Sequence, residues 1–161
     1  MANTYFQFKK FIVHQAHTSM KVCTDACLFG GWVARDPMVI SAGSILDIGT
    51  GTGVLSLMLA QASANHSNLK ITAIEIESDA ANEAADNFAL SPWVNCLKVI
   101  PSSLQDYCSK MNPSISSSNS SSINPSENTI PTFDCIITNP PFYEGDLKSP
   151  DEKKNLAAHS A

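Results

Sequence analysis

The chain has 161 residues, 43% of them apolar and 16% charged, and 15 acidic against 10 basic side chains give a net charge of −5. That length suits one domain around a single core and excludes a multidomain machine. The acidic balance excludes a surface with global attraction for nucleic acid or anionic membrane, so a nucleic-acid partner needs a local patch or another chain.

No apolar run approaches the ~20 residues of a membrane span. Residues 1–10 lack a hydrophobic signal core. The five cysteines, an odd number, suit reduced thiols in the cytoplasm.

Residues 5–23 mix aromatics, Lys and His without a clear period and read as an irregular N-terminal arm. Thr24 and Asp25 suit the cap and first turn of a helix in which Leu28, Trp32 and Val33 recur at helical spacing. Asp36-Pro37 ends it. Gly43 opens a first strand, Ser44 to Ile48, followed by Gly49-Thr50-Gly51-Thr52-Gly53. Val54 to Ala60, apolar on nearly every side, then predicts a helix buried against a sheet. Lys70 to Ile76 is a second buried strand, and Ser78 caps an Ala-rich helix running to about Leu90. Ser91-Pro92-Trp93 breaks that helix, and Leu97 to Ile100 is a weaker third strand.

Residues 112–131, rich in Ser, Asn and Pro, cannot bury enough apolar surface to offset their ordering entropy and predict a disordered surface insertion. Phe133 to Thr138 is a fourth buried strand, stopped by Asn139-Pro140-Pro141-Phe142-Tyr143. The chain thus divides into an arm and helix (1–42), a ligand-binding half (43–111), the insertion, and a terminal strand and turn (132–161). Strands alternating with helices predict an α/β fold, a parallel sheet in the order 3-2-1-4 with right-handed crossovers. Ligands of such sheets bind beyond the carboxyl ends of the strands, where both the glycine segment and the Asn-Pro-Pro segment fall.

A glycine at every second position lets the backbone turn sharply and approach a ligand. The plain alternative is a Gly-rich turn beside two solvated acids. Val54 stands where a dinucleotide loop needs its third glycine, and the Gly-Lys-Ser/Thr ending of a P-loop is absent. Asp47 just ahead of the turn would oppose a pyrophosphate but favours a ligand with a cationic end, directly or through water. Glu75, near the end of the second strand, can accept hydrogen bonds from ribose hydroxyls, with Glu77 as a nearby rival.

Leu46 to Gly53 resembles motif I of the class I S-adenosylmethionine-dependent methyltransferases. The resemblance implies a Rossmann-like fold, here with about four of the usual seven strands and helices on both faces. It also implies S-adenosyl-L-methionine as cofactor, its methionine part wrapped by Gly49, Thr50, Gly51 and Gly53, and its ribose held by Glu75. Ser103, followed by Leu104, falls where the family often has an acidic residue for the adenine amine.

The amine lone pair of an aromatic ring is conjugated, and two acceptors on its hydrogens make the nitrogen more nucleophilic. The Asn139 side-chain oxygen and the Pro140 carbonyl can serve as those acceptors, with Pro141 stiffening the turn. Phe142 can stack on the ring. Asn139-Pro140-Pro141-Phe142 resembles motif IV of the amino-methyltransferases, whose members act on adenine in RNA or DNA, on the guanine 2-amino group or on a glutamine amide.

A further block runs Phe6-Gln7-Phe8-Lys9-Lys10-Phe11, His14-Gln15, Met20 to Asp25, and Leu28-Phe29-Gly30-Gly31-Trp32. Together with Glu75 to Trp93 it resembles the bacterial tRNA1(Val) adenine-N(6) methyltransferases, with Cys23 in place of a usual glycine. That resemblance implies a valine tRNA as partner, methylation of the adenosine beside its anticodon, and Lys21, Thr24 and Asp25 lining the cofactor entrance. Lys9, Lys10 and Lys21, and separately Lys148, Lys153 and Lys154, could meet phosphates.

Cys23 and Cys27, with His14 and His17 near them, lack the paired spacing of a zinc site, and no metal is expected. A fourth strand at the edge, with the sequence of a buried one, suggests a truncated chain. An inactive cofactor-binding fragment is therefore the rival to an enzyme. Oligomeric state is not legible.

Overall fold

A computed structural model describes residues 3–111 and 132–140 of the chain. Pro141, Phe142, the Ser-rich segment and the lysines at 148, 153 and 154 lie outside the described residues.

Two antiparallel strands, β1 (Tyr5–Gln7) and β2 (Ile12–His14), begin the chain. Helices α1 (Thr24–Val33) and α2 (Pro37–Ser41) follow. The alternating body is β3 (Ser44–Ile48), α3 (Val54–Ala62), β4 (Lys70–Glu75), α4 (Ser78–Ala89), β5 (Leu97–Pro101), α5 (Leu104–Met111) and β6 (Cys135–Thr138). The four body strands are parallel and ordered β5-β4-β3-β6, which is the order 3-2-1-4 expected of them.

The pleat sends alternate side chains to opposite faces. Ile45, Ile71, Ala73 and Ile137 join a core with Leu55 and Leu59 of α3 and Phe88 of α4. Leu46 and Ile74 face the other way and meet Tyr107, with Leu104 and Met111 of α5 packed beside them. Helices therefore cover both faces of the sheet. Order reverses between β3 and β6, which opens a crevice at the carboxyl ends of these strands.

Several local expectations are corrected. The N-terminal arm is not irregular: residues 5–14 form a hairpin whose Val13 is fully buried. Its period was hidden because Phe8, in the connection, stacks on Phe11 at 4.5 Å instead of following the pleat. In α1 the buried stripe is Ala26, Gly30 and Val33, whereas Leu28 and Trp32 are 68% and 71% exposed. Close approach to α3 explains this, since a Cβ on Gly30 would lie 2.6 Å from the Met58 sulfur. Cys23, not Thr24, is the N-cap of α1, and it makes no side-chain cap.

Asp36-Pro37 does not only end a helix but starts α2. Asp36 accepts from the Met38 N–H at 2.8 Å, and Pro37 takes the first helical position, where its missing N–H costs nothing. Glu77, not Ser78, caps α4, accepting from the N–H groups of Asp79 and Ala80. Helix α5 was not anticipated. All five cysteines are free.

Candidate functional site

The segment between β3 and α3 is held to the neighbouring strand. The N–H groups of Gly49 and Thr50 both donate to the Ile74 carbonyl, at 2.9 and 3.1 Å. The next N–H, of Gly51, donates to the Glu75 carboxylate at 2.8 Å. All three glycines have positive φ, at 69°, 55° and 82°. A Cβ on Gly49 or Gly51 would meet nothing within 4 Å, so the turn leaves open space above it. Gly53 is different, because its Cβ would lie 2.5 Å from the ring of Phe88.

That open space is a pocket at the carboxyl ends of the parallel strands. Its floor is Gly49, Thr50 and Gly51, and Glu75 stands at its side. Ser103 and Leu104, at the start of α5, form a second wall, and Asn139 and Pro140, beyond β6, a third. Lys21 completes the rim. Nine of the residues singled out in the sequence thus share one cavity.

The others do not line it. Thr24 and Asp25 are exposed on the first turn of α1, and their neighbours Cys23 and Ala26 reach the pocket instead. Gly53 lies beneath the turn, against Phe88. Asp47 is 1% exposed under the turn, where one of its oxygens accepts from Thr50 Oγ1 at 2.6 Å and Ser56 Oγ at 2.7 Å. Its other oxygen is buried without a protein partner. Asp47 therefore holds the shape of the glycine turn, through Thr50, from outside the pocket wall.

Glu75 reaches the pocket, while Glu77 caps α4. Glu75 also accepts from the Glu77 N–H at 3.0 Å, which fixes the orientation of its carboxylate. Ser103 Oγ accepts from the Asp106 N–H at 3.0 Å and so caps α5, with a lone pair and its hydroxyl proton left for a ligand. Ile76, 37% exposed in the wall next to Glu75, was missed by the sequence reading. An apolar residue exposed between two glutamates was the signal available. Met20 and Cys23 belong to the 20–25 block noted in the sequence but were not named as site residues, and Ser102 was missed because no motif marks it.

Burial is the main cause that lifts the Asp47 carboxyl above its ordinary range, opposed by the Thr50 and Ser56 hydrogen bonds. In the unfolded chain the same group ionises at lower pH. Between the two values the folded state holds the extra proton, so this group's contribution to stability falls as pH rises through that window. Thermal midpoints measured from acidic to neutral pH are expected to fall less steeply for Asp47→Asn than for the parent chain. An equal slope would contradict the assignment.

Among the described residues no three His, Cys, Asp or Glu side chains are grouped to hold a metal ion. No helix among them is long and apolar enough to cross a membrane.

The chain is 44% identical over 161 residues to a tRNA1(Val) (adenine(37)-N6)-methyltransferase of Cytophaga hutchinsonii, a match covering all of this chain and 57% of that protein. It is 41% identical over 160 residues to a protein of the same name from Parabacteroides distasonis, covering 99% of this chain and 56% of that one. The chain therefore spans a little over half the length of these curated relatives. Among solved structures, an O-methyltransferase from Bacillus cereus in complex with SAH matches with a TM-score of 0.54 at 18% identity, over 76% of this chain and 47% of that one. A putative O-methyltransferase from Klebsiella pneumoniae matches with a TM-score of 0.50, also at 18% identity. These two likenesses concern the fold. No family model matches the chain. By sequence the chain is similar along its whole length to the bacterial tRNA1(Val) (adenine(37)-N6)-methyltransferases, a little over half of whose length it spans, and it carries the class I methyltransferase fold.

Proposed function

We propose that this chain is the cofactor- and amine-binding part of an S-adenosylmethionine-dependent enzyme that methylates N6 of adenosine 37 in tRNA1(Val). The observation that carries the reading is the meeting of the glycine turn, Glu75 and Asn139-Pro140 in one pocket.

The pocket fits such a cofactor. Gly49 and Gly51 leave a cradle that side chains would fill. Glu75 offers a carboxylate to a pair of ribose hydroxyls, and Leu104 and Ile76 offer apolar surface to an adenine ring. Charge argues the same way: Glu75 stands in the wall, and the Lys21 ammonium is taken up by the Gln15 carbonyl, which suits a ligand with cationic groups better than a pyrophosphate. When bound, the cofactor would supply an electrophilic methyl group whose bond to sulfur breaks as the new N–C bond forms, the sulfur leaving as a neutral thioether.

The chain's own part is orientation. The Asn139 side-chain oxygen and the Pro140 carbonyl accept the two amine hydrogens of the base. That draws the nitrogen lone pair out of conjugation and toward the methyl group. The nitrogen sheds a proton to solvent after the N–C bond has formed, so neither a metal nor a strong base is needed. Phe142 is the sequence's candidate for the ring that stacks on the base. An anticodon-loop adenosine suits the pocket because it is already partly unstacked, whereas a base inside a duplex could not reach the strand ends. Lys9 and Lys10, exposed in the hairpin connection, and Lys21 on the rim are candidate phosphate contacts. A tRNA substrate would be met in the cytoplasm.

The test is transfer of a tritiated methyl group by the 161-residue chain to tRNA1(Val) transcripts carrying adenosine or guanosine at position 37. Label on the adenosine transcript alone is expected. Equal label on both, label on ribosomal RNA or a glutamine peptide instead, or none on any of them, would overturn the proposal.

A further inference from the structure

Helix α4 turns two polar side chains into the interior. Asn87 is 1% exposed; its amide donates to the carbonyls of His14 and Thr52, both at 2.9 Å, and its oxygen accepts from the His14 N–H at 2.8 Å. Glu83, one helical turn earlier, is 4% exposed. Its carboxylate accepts from three consecutive backbone N–H groups, those of Ala16, His17 at 3.0 Å and Thr18 at 2.9 Å. Neither side chain lines the pocket.

Their partners lead to it. Residues 15–23 have no helix or strand of their own, so their backbone donors must find acceptors elsewhere. Glu83 supplies three of those acceptor contacts. Gln15 closes the loop on itself: its side-chain oxygen accepts from the Val22 N–H at 2.9 Å, and its carbonyl accepts from the Lys21 ammonium. The loop then presents Met20, Lys21 and Cys23 to the pocket. Thr52, the other partner of Asn87, belongs to the glycine turn. One helix face thus fastens the rim and the floor of the pocket to each other.

We infer that Glu83 and Asn87 are positioning residues for cofactor binding, a clamp on α4 that sets Met20–Cys23 against the glycine turn. The inference rests on the reading that the pocket holds S-adenosylmethionine.

The experiment compares the 161-residue chain with Glu83→Gln and Asn87→Ala. Glutamine keeps the size of Glu83 and one acceptor but turns an amide NH2 toward N–H donors, so it carries the test should Asn87→Ala not fold. Two quantities are read: the dissociation constant for S-adenosylhomocysteine, and backbone hydrogen exchange without ligand. Binding is expected to weaken about tenfold, the scale of losing charge-assisted hydrogen bonds. Exchange is expected to quicken at residues 20–23 and 51–53 while β3 and β4 keep the parent's protection. Unchanged affinity, or exchange raised throughout the sheet, overturns the clamp and leaves Glu83 and Asn87 with a merely structural role. If the parent chain itself fails to bind S-adenosylhomocysteine, the cofactor reading falls, and the exchange pattern alone decides the clamp.

Discussion

Asn139→Ala is expected to lower methyl transfer by about 10²–10³-fold, the scale set by removing one preorganised hydrogen-bond partner from a reacting group, while leaving cofactor affinity almost unchanged. The side chain stands half-buried beyond the end of β6, on the wall formed with Pro140. The cradle of Gly49 and Gly51 and the carboxylate of Glu75 belong to other elements. Truncation therefore removes an acceptor for the amine and leaves the cofactor's partners in place. Single-turnover transfer and a calorimetric titration on the same preparation separate the two effects. Loss of both together would mean that Asn139 supports the turn and does not hold the base.

Gly53→Ala should show the largest effect on folding. The residue has φ 82°, a left-handed conformation that costs an L side chain roughly 1–2 kcal/mol. Its new Cβ would also stand 2.5 Å from the ring of Phe88, itself only 3% exposed and packed in the core. Overpacking of that kind costs about 1–3 kcal/mol. The two together amount to roughly 2–5 kcal/mol, which lowers the thermal midpoint by about 10 °C in a chain of this size. Gly51→Ala is the matched control. It carries similar backbone strain at φ 55°, but its Cβ meets nothing within 4 Å. It should lose only the roughly 1–2 kcal/mol of backbone strain, without the packing cost, and most of its cofactor affinity, because the methyl group enters the open pocket. Equal melting curves for the two variants would contradict the assignment of Gly53 to packing and Gly51 to the ligand.

The central strands were legible because β3 and β4 are buried on both faces and read as largely apolar runs, as in Ile45-Leu46 and Ile71 to Ile74, whereas β6, expected to be buried, leaves Ile136 60% exposed at the sheet edge. The glycine turn was legible because its three positive-φ positions take a backbone that few residues other than glycine adopt. Where tertiary contacts decide, the pattern misled. The large residues Leu28 and Trp32 mark the outer face of α1, since small residues permit its approach to α3. Helix α5 carries Leu104, Tyr107 and Met111 at helical spacing, a signal present but short. Glu83 and Asn87 could not be read as a clamp, because their partners lie 65 or more residues earlier in the chain or across the glycine turn. Asp47 was placed beside the ligand by its neighbours in sequence, yet Thr50 and Ser56 draw its carboxylate beneath the turn.

The central claim, that a sulfonium cofactor is bound over residues 49–53 with its ribose on Glu75, meets its most direct test in calorimetry. S-adenosylhomocysteine and NAD are titrated separately into the 161-residue chain and into Glu75→Gln. One molecule of S-adenosylhomocysteine bound per chain, weakened by the substitution, with no heat from NAD, is the predicted result. Binding of NAD in its place, or S-adenosylhomocysteine binding indifferent to Glu75, would contradict it.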